Sequence, residues 1–159
     1  MKRAHFGYLF VGALALIMSM TTLASADDNK EAEIKKDHKL IEGTWRIKTL
    51  QINGNKAGDA DASKFTVVNG ADGAWSLRSE GNEVAKGTST IDPTQKPRTI
   101  DFMPTSGQDQ GQTLLGIYEL KKNTRKLCFA PAGRNRPTEF SSTAENQHIL
   151  VTFERVKTE

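Results

Sequence analysis

Apolar and polar residues alternate with a period of two along most of the chain after residue 43. Ile100 and Phe102, for example, alternate with Thr99 and Asp101. Such alternation predicts β-strands that bury one face and expose the other. Turn residues interrupt the pattern at near-regular spacing, as is typical of all-β sandwiches and barrels. The pattern predicts eight strands, at residues 44–52, 64–69, 74–80, 83–91, 98–103, 112–121, 125–130 and 148–156.

A helical pattern precedes the first strand, at about residues 28–42. Asp28 and Glu31 have the spacing of a capping box at its start, and Gly43 stands where a helix stop is expected. Because no helical pattern falls between the strands, parallel βαβ architecture is excluded. The simplest fold is all-β: an eight-stranded antiparallel up-and-down barrel preceded by a short N-terminal helix. Closure into a barrel removes the exposed strand edges.

The first 26 residues have the three-part layout of a secretory signal peptide. Lys2 and Arg3 form a positive start, an uncharged apolar run follows, and small residues precede a cleavage point after Ala26. The alternative is an uncleaved anchor helix, but the apolar run is shorter than the roughly 20 residues that span a membrane. We therefore predict an exported protein, periplasmic or extracellular, whose mature barrel domain covers residues 27–159.

Loss of this segment changes the charge balance. The chain has 22 basic and 19 acidic residues, and the segment holds two of the basic residues and no acidic residue. The remaining 133 residues carry a formal charge of +1, which excludes the basic footprint of a nucleic-acid-binding protein. Cys128 is the only cysteine, so no internal disulfide forms and core burial must supply the stability. No membrane span is predicted in the mature chain.

Gly43-Thr44-Trp45, where the helix meets the first strand, resembles the G-x-W signature of lipocalins and related calycin barrels. In that superfamily the tryptophan closes one end of the barrel, and a basic residue of the last strand packs over its indole. The resemblance therefore implies a role in barrel closure for Gly43, Trp45 and Arg155. A guanidinium on an indole face contributes roughly 0.5–2 kcal/mol.

Five stretches, the first of which contains this signature, occur in order at residues 40–45, 97–101, 111–118, 127–130 and 136–140. In these stretches the chain is similar, from about Asp37 to Arg155, to a bacterial lipocalin-like domain family. That family is known mainly from planctomycetes and has no assigned activity. The resemblance implies a calycin-like barrel and an exported location, and it implies no substrate. The chain differs from true lipocalins because it lacks a clear T-D-Y motif and any disulfide pair.

Residues that suit catalysis or metal binding are few. Cys128 and His148 are the pair to consider as nucleophile and base. The thiol lies in an apolar stretch, so we interpret it as a small buried hydrophobe with no base to deprotonate it. His38 and His148 stand far apart and outside any paired metal-binding motif. We predict no enzyme activity, no metal site and no cofactor.

Asp101, Glu119 and Glu139 are the carboxylates to consider for glycoside chemistry, but surface charge or pairing with arginine explains them better. Arg134 and Arg136 form the one basic cluster. They are candidate anion contacts because arginine suits carboxylate and phosphate groups, and a solvated loop is the alternative interpretation. No nucleic-acid partner is predicted.

Two functions agree with these observations. The first is an exported lipocalin-like module that binds a small or partly apolar ligand inside the barrel. The second is a structural or protein-interaction domain whose barrel is packed solid. A cavity of roughly 300 Å³ or more, open at one end, would favour the first function. A filled interior would favour the second.

We expect the mature protein to begin at Asp27, because small residues end the predicted signal peptide at Ala26. N-terminal sequencing of the protein recovered from outside the cytoplasm checks this expectation. A chain that starts at Met1 and fractionates with membranes would contradict it.

Overall fold

A computed structural model describes residues 26–157, which begin with helix α1 (Ala26–Ile41). The predicted signal peptide lies outside the described residues, apart from Ala26. Within the described part, no helix combines the length and apolar character needed to cross a membrane.

Nine strands and a second, short helix follow α1 within residues 26–157. They are β1 (Gly43–Ile52), β2 (Asn55–Lys56), α2 (Asp59–Ala62), β3 (Phe65–Asn69), β4 (Ala74–Ser79), β5 (Asn82–Asp92), β6 (Arg98–Ser106), β7 (Leu114–Leu120), β8 (Thr124–Phe129) and β9 (Ile149–Arg155).

All eight predicted strands are present. The prediction that the fifth of them ends at residue 103 is wrong, because the corresponding strand, β6, continues through Pro104 to Ser106. Gly87 of β5 pairs with Pro104 and Lys86 pairs with Ser106, so β6 bulges at Thr105, next to a proline that has no amide proton to donate.

Eight of these strands form one closed barrel. Antiparallel neighbours follow in the order β1, β3, β4, β5, β6, β7, β8, β9, and β9 pairs back onto β1. At this seam Trp45 lies opposite Arg155, and Ile52 lies opposite Ile149. β2 is a short arm that pairs with the end of β1. The predicted all-β up-and-down barrel with a short N-terminal helix is therefore confirmed.

The inward faces of the strands form the core, as the alternation predicts. Ile100, Val151 and Phe153 are buried within the barrel. Near α1 they pack with a cluster that contains Ile41, Trp45, Ile47, Ile91, Tyr118 and Leu127. The hydrophobic core therefore extends to the end of the barrel that meets the helix.

Buried polar contacts fix α1 across this end. The carboxylate of Asp37 is buried and accepts hydrogen bonds from the Tyr118 hydroxyl at 2.6 Å and from Arg98 Nη1 at 3.1 Å. Burial, and then the hydrogen bond to Asp37, raise the pKa of Tyr118 well above its ordinary value. Lys30 also pairs with Asp92 at 2.8 Å. These contacts attach the helix to β5, β6 and β7.

The C-terminal end of α1 is held by the first and last strands. Trp45 Nε1 donates to Ile41 O at 2.7 Å, and Arg155 Nη1 donates to Glu42 O at 2.8 Å. Arg155 also donates to Leu40 O, and its guanidinium lies 4.2 Å from the centroid of the Trp45 ring. Gly43 has a φ of +108°, and a Cβ there would lie 3.0 Å from Arg155 Nη1. Glycine therefore provides both the turn and the space for the arginine.

The expected capping box at the start of α1 is wrong. The chain is already helical at Ala26, so Asp28 lies inside the helix rather than at its cap. Its negative charge still lies close to the positive end of the helix dipole. Glu31 pairs with Lys35 at 2.8 Å, one helical turn further along.

We expect Trp45→Ala to lower the free energy of unfolding by about 3–5 kcal/mol. The substitution leaves a cavity where a fully buried ring packs and removes the donor to Ile41 O. Chemical denaturation measures the change. Trp75→Ala is the matched control and should cost less, because Trp75 is half-buried and already borders open space. A loss below about 1 kcal/mol for Trp45→Ala would contradict the proposed closing role of the indole.

Candidate functional site

The interior of the barrel contains a cavity of about 440 Å³. Its walls are mainly apolar, and aromatic rings form a large part of them. The Trp75 and Phe102 rings meet edge to face with centroids 6.1 Å apart, and Phe102 lies 5.6 Å from Phe129. Offset and edge-to-face pairs of this kind stabilise a ring arrangement beyond the area that they bury.

The cavity has a floor near α1 and a mouth at the opposite end of the barrel. Asn69, the last residue of β3, and Arg125, near the start of β8, lie at the floor. Gln108 and Asp109, in the loop between β6 and β7, lie at the mouth. Val84 borders the mouth and is 47% exposed.

Arg125 is a buried cation at the cavity floor, with only 3% of its surface exposed. Its guanidinium carbon lies 4.7 Å from the centroid of the Phe153 ring and 5.2 Å from that of Trp45. Nη1 donates to Asn69 Oδ1 at 3.3 Å, whereas the buried Nε has no hydrogen-bond partner. Burial, together with repulsion from Arg155, lowers the pKa of Arg125 to about 9. The group therefore remains charged at neutral pH.

Sequence reasoning selected Arg155 and missed Arg125. A signal for Arg125 was nevertheless present in β8. Arg125 alternates in phase with Leu127 and Phe129, and these two side chains face the cavity. This phase places the arginine on the inward face of the strand.

The two arginines that were candidate anion contacts have partners within the protein. Arg136 Nη1 lies 2.5 Å from Asp101 Oδ1 and 2.8 Å from Gly116 O, so it connects its loop to β6 and β7. Arg134 Nη2 donates to Gln147 Oε1 at 3.1 Å. The described contacts of Arg136 therefore indicate a structural role, in which Asp101 supplies the carboxylate.

The three carboxylates considered for glycoside chemistry have separate partners. Asp101 pairs with Arg136, Glu119 lies 3.3 Å from Lys121 Nζ, and Glu139 accepts a hydrogen bond from the Ser141 hydroxyl. Within residues 26–157, no group of three His, Cys, Asp or Glu side chains is arranged to hold a metal ion.

Cys128 lies on the outer face of β8, beneath the segment that leads to β9. Its thiol is fully buried, with Sγ 3.4 Å from Ser141 O and 3.9 Å from His148 Nδ1. The expectation that no base lies near the thiol is therefore wrong. The register that pairs Cys128 with Leu150 brings the nearby His148 to it. Burial raises the pKa of the thiol, so the protonated form dominates at neutral pH.

A comparison with protein-family models and one with curated proteins found no match. Among solved structures, the chain is similar to a DUF4847 family protein from Bacteroides vulgatus ATCC 8482. The two share 13% sequence identity over 78% of this chain and 99% of that chain, with a TM-score of 0.47. The similarity to a planctomycete lipocalin-like family stays a prediction.

We expect the Cys128 thiol to react slowly with a thiol reagent in the folded protein at neutral pH, and quickly after unfolding. The thiol is buried and protonated, and the thiolate is the reactive form. A colorimetric thiol assay with and without denaturant measures the two rates. Cys128→Ala removes the only thiol and should abolish the signal. Rapid stoichiometric labelling of the folded protein would contradict this expectation and would indicate that His148 activates the sulfur.

Proposed function

We propose that this protein binds a small, largely apolar ligand inside the barrel. The cavity is the observation that carries the proposal, because its volume of about 440 Å³ lies in the range of small-molecule sites, roughly 300–1,000 Å³. Apolar and aromatic side chains form most of its wall. Each Å² of apolar ligand surface removed from water there contributes roughly 25 cal/mol.

The two ends of the barrel suit this function in different ways. The α1 end is packed and sealed by Trp45 and Ile41, so a ligand would not pass through it. At the other end, Val84 exposes an apolar side chain on the border of the cavity. An apolar ligand would therefore enter at the mouth and stop at the floor.

The alternative function, a structural or protein-interaction domain with a solid barrel, has less support because the interior holds a cavity. A non-catalytic role agrees with the positions of Cys128 and His148, which meet on the outer face of the barrel rather than in the cavity. We further propose that the protein acts after export, on the basis of the layout of residues 1–26.

We expect the protein to bind Nile red, an uncharged apolar dye, saturably, and Leu77→Trp to weaken this binding at least about tenfold. Leu77 borders the cavity, so an indole at this position would fill part of the space. Arg78→Trp is the matched control, because it adds the same ring to the exposed face of the same strand. Dye fluorescence gives the affinities, and thermal unfolding verifies that both variants fold. Non-saturable binding, or equal weakening by both variants, would contradict the proposal.

A further inference from the structure

The floor of the cavity holds a positive charge without an opposing negative charge. Arg125 is buried there, and no carboxylate within residues 26–157 forms a salt bridge with it. Its partners are the neutral Asn69 amide and the rings of Trp45 and Phe153. Cation–π contacts offset part of the loss of hydration. These contacts do not neutralise the positive charge of Arg125. Buried charges in proteins are normally paired with an opposite charge.

Other arginines that are buried or partly buried have their charge compensated. Arg98 pairs with Asp37, and Arg136 pairs with Asp101. Arg155 donates to backbone carbonyls at the negative end of α1. Arg125 differs from these because its Nε–H is buried and has no acceptor. Since buried polar groups are nearly always hydrogen-bonded, this N–H is a donor for an acceptor that enters the cavity.

We propose that the ligand is a medium-chain monocarboxylic acid whose carboxylate pairs with Arg125 at the floor of the cavity. This inference rests on the proposed function and adds the chemical class of the ligand. The hydrocarbon chain would extend along the apolar wall toward the mouth. A carboxylate fits because the planar guanidinium presents parallel N–H donors to its two oxygens. A phosphate dianion would leave surplus negative charge beside a single buried cation.

The length and charge of the site support this choice. Arg125 and Phe129 both border the cavity and lie four residues apart on β8, about 13 Å at a rise of 3.3 Å per residue. An extended medium-length fatty acid covers a similar distance. Arg125 and Arg155 lie against the same Trp45 ring and repel one another, and an anion beside Arg125 would relieve this repulsion.

Matched ligands test the inference on the full protein. Dodecanoic acid and 1-dodecanol have the same chain length and differ in the charged group, so calorimetric titration of both isolates the contribution of the carboxylate. We expect the acid to bind at least about tenfold more tightly, as hydrogen bonds to a charged group allow. Arg125→Met should remove this preference, so that the acid and the alcohol bind with similar affinities. Arg46→Met, which removes an exposed arginine on the outer face of β1, should preserve the preference.

The outcomes separate this inference from the proposed function. Equal affinities of the wild-type protein for the acid and the alcohol would overturn the carboxylate site and leave ligand binding in place. Tighter binding of dodecyl phosphate than of dodecanoic acid would also overturn it. Failure of both dodecyl ligands and of Nile red to bind would overturn both proposals. Arg125→Lys retains the cation and should retain the preference, so it provides the mutational test if Arg125→Met does not fold.

Discussion

The structure depends on the hydrogen bonds that complete the C-terminal end of α1. A helix leaves its last carbonyl groups without internal partners, and burial of such groups is costly. Here the donors are side chains of Trp45 and Arg155, which belong to the first and last barrel strands. The contacts that complete the helix therefore also hold together the two strands that close the barrel. The sealed end that results gives the cavity its floor.

Two guanidinium groups lie against the same indole in different electrostatic surroundings. Arg155 reaches the carbonyl oxygens at the end of α1, where the helix dipole is negative. Arg125 lies inside the barrel, among rings and one amide oxygen. A positive charge without a negative partner therefore lies at the floor of an otherwise apolar cavity. The cavity is therefore charged at its floor and apolar along its length. This difference is the reason why we expect it to prefer some ligands over others.

The strands were predictable because alternation and turn residues are local signals. The end of β6 was not, since β6 continues past Pro104 through a bulge at Thr105. For the site, the resemblance to calycin barrels pointed to Arg155. Arg125 was missed because an isolated arginine in a strand normally faces solvent, and the volume of the cavity depends on packing between distant residues. The approach of His148 to Cys128 likewise follows from the pairing of β8 with β9.

The seam between β1 and β9 also determines how the chain reaches this structure. Position 45 pairs with position 155, so the two halves of the seam are separated by nearly the whole domain. Contacts this distant in sequence make folding slow, because the closure of a long loop precedes the contacts that stabilise it. Until β9 is in place, β1 presents unpaired backbone groups to any other extended chain nearby. The interval before the last strand docks is therefore the period when the protein is most exposed to aggregation.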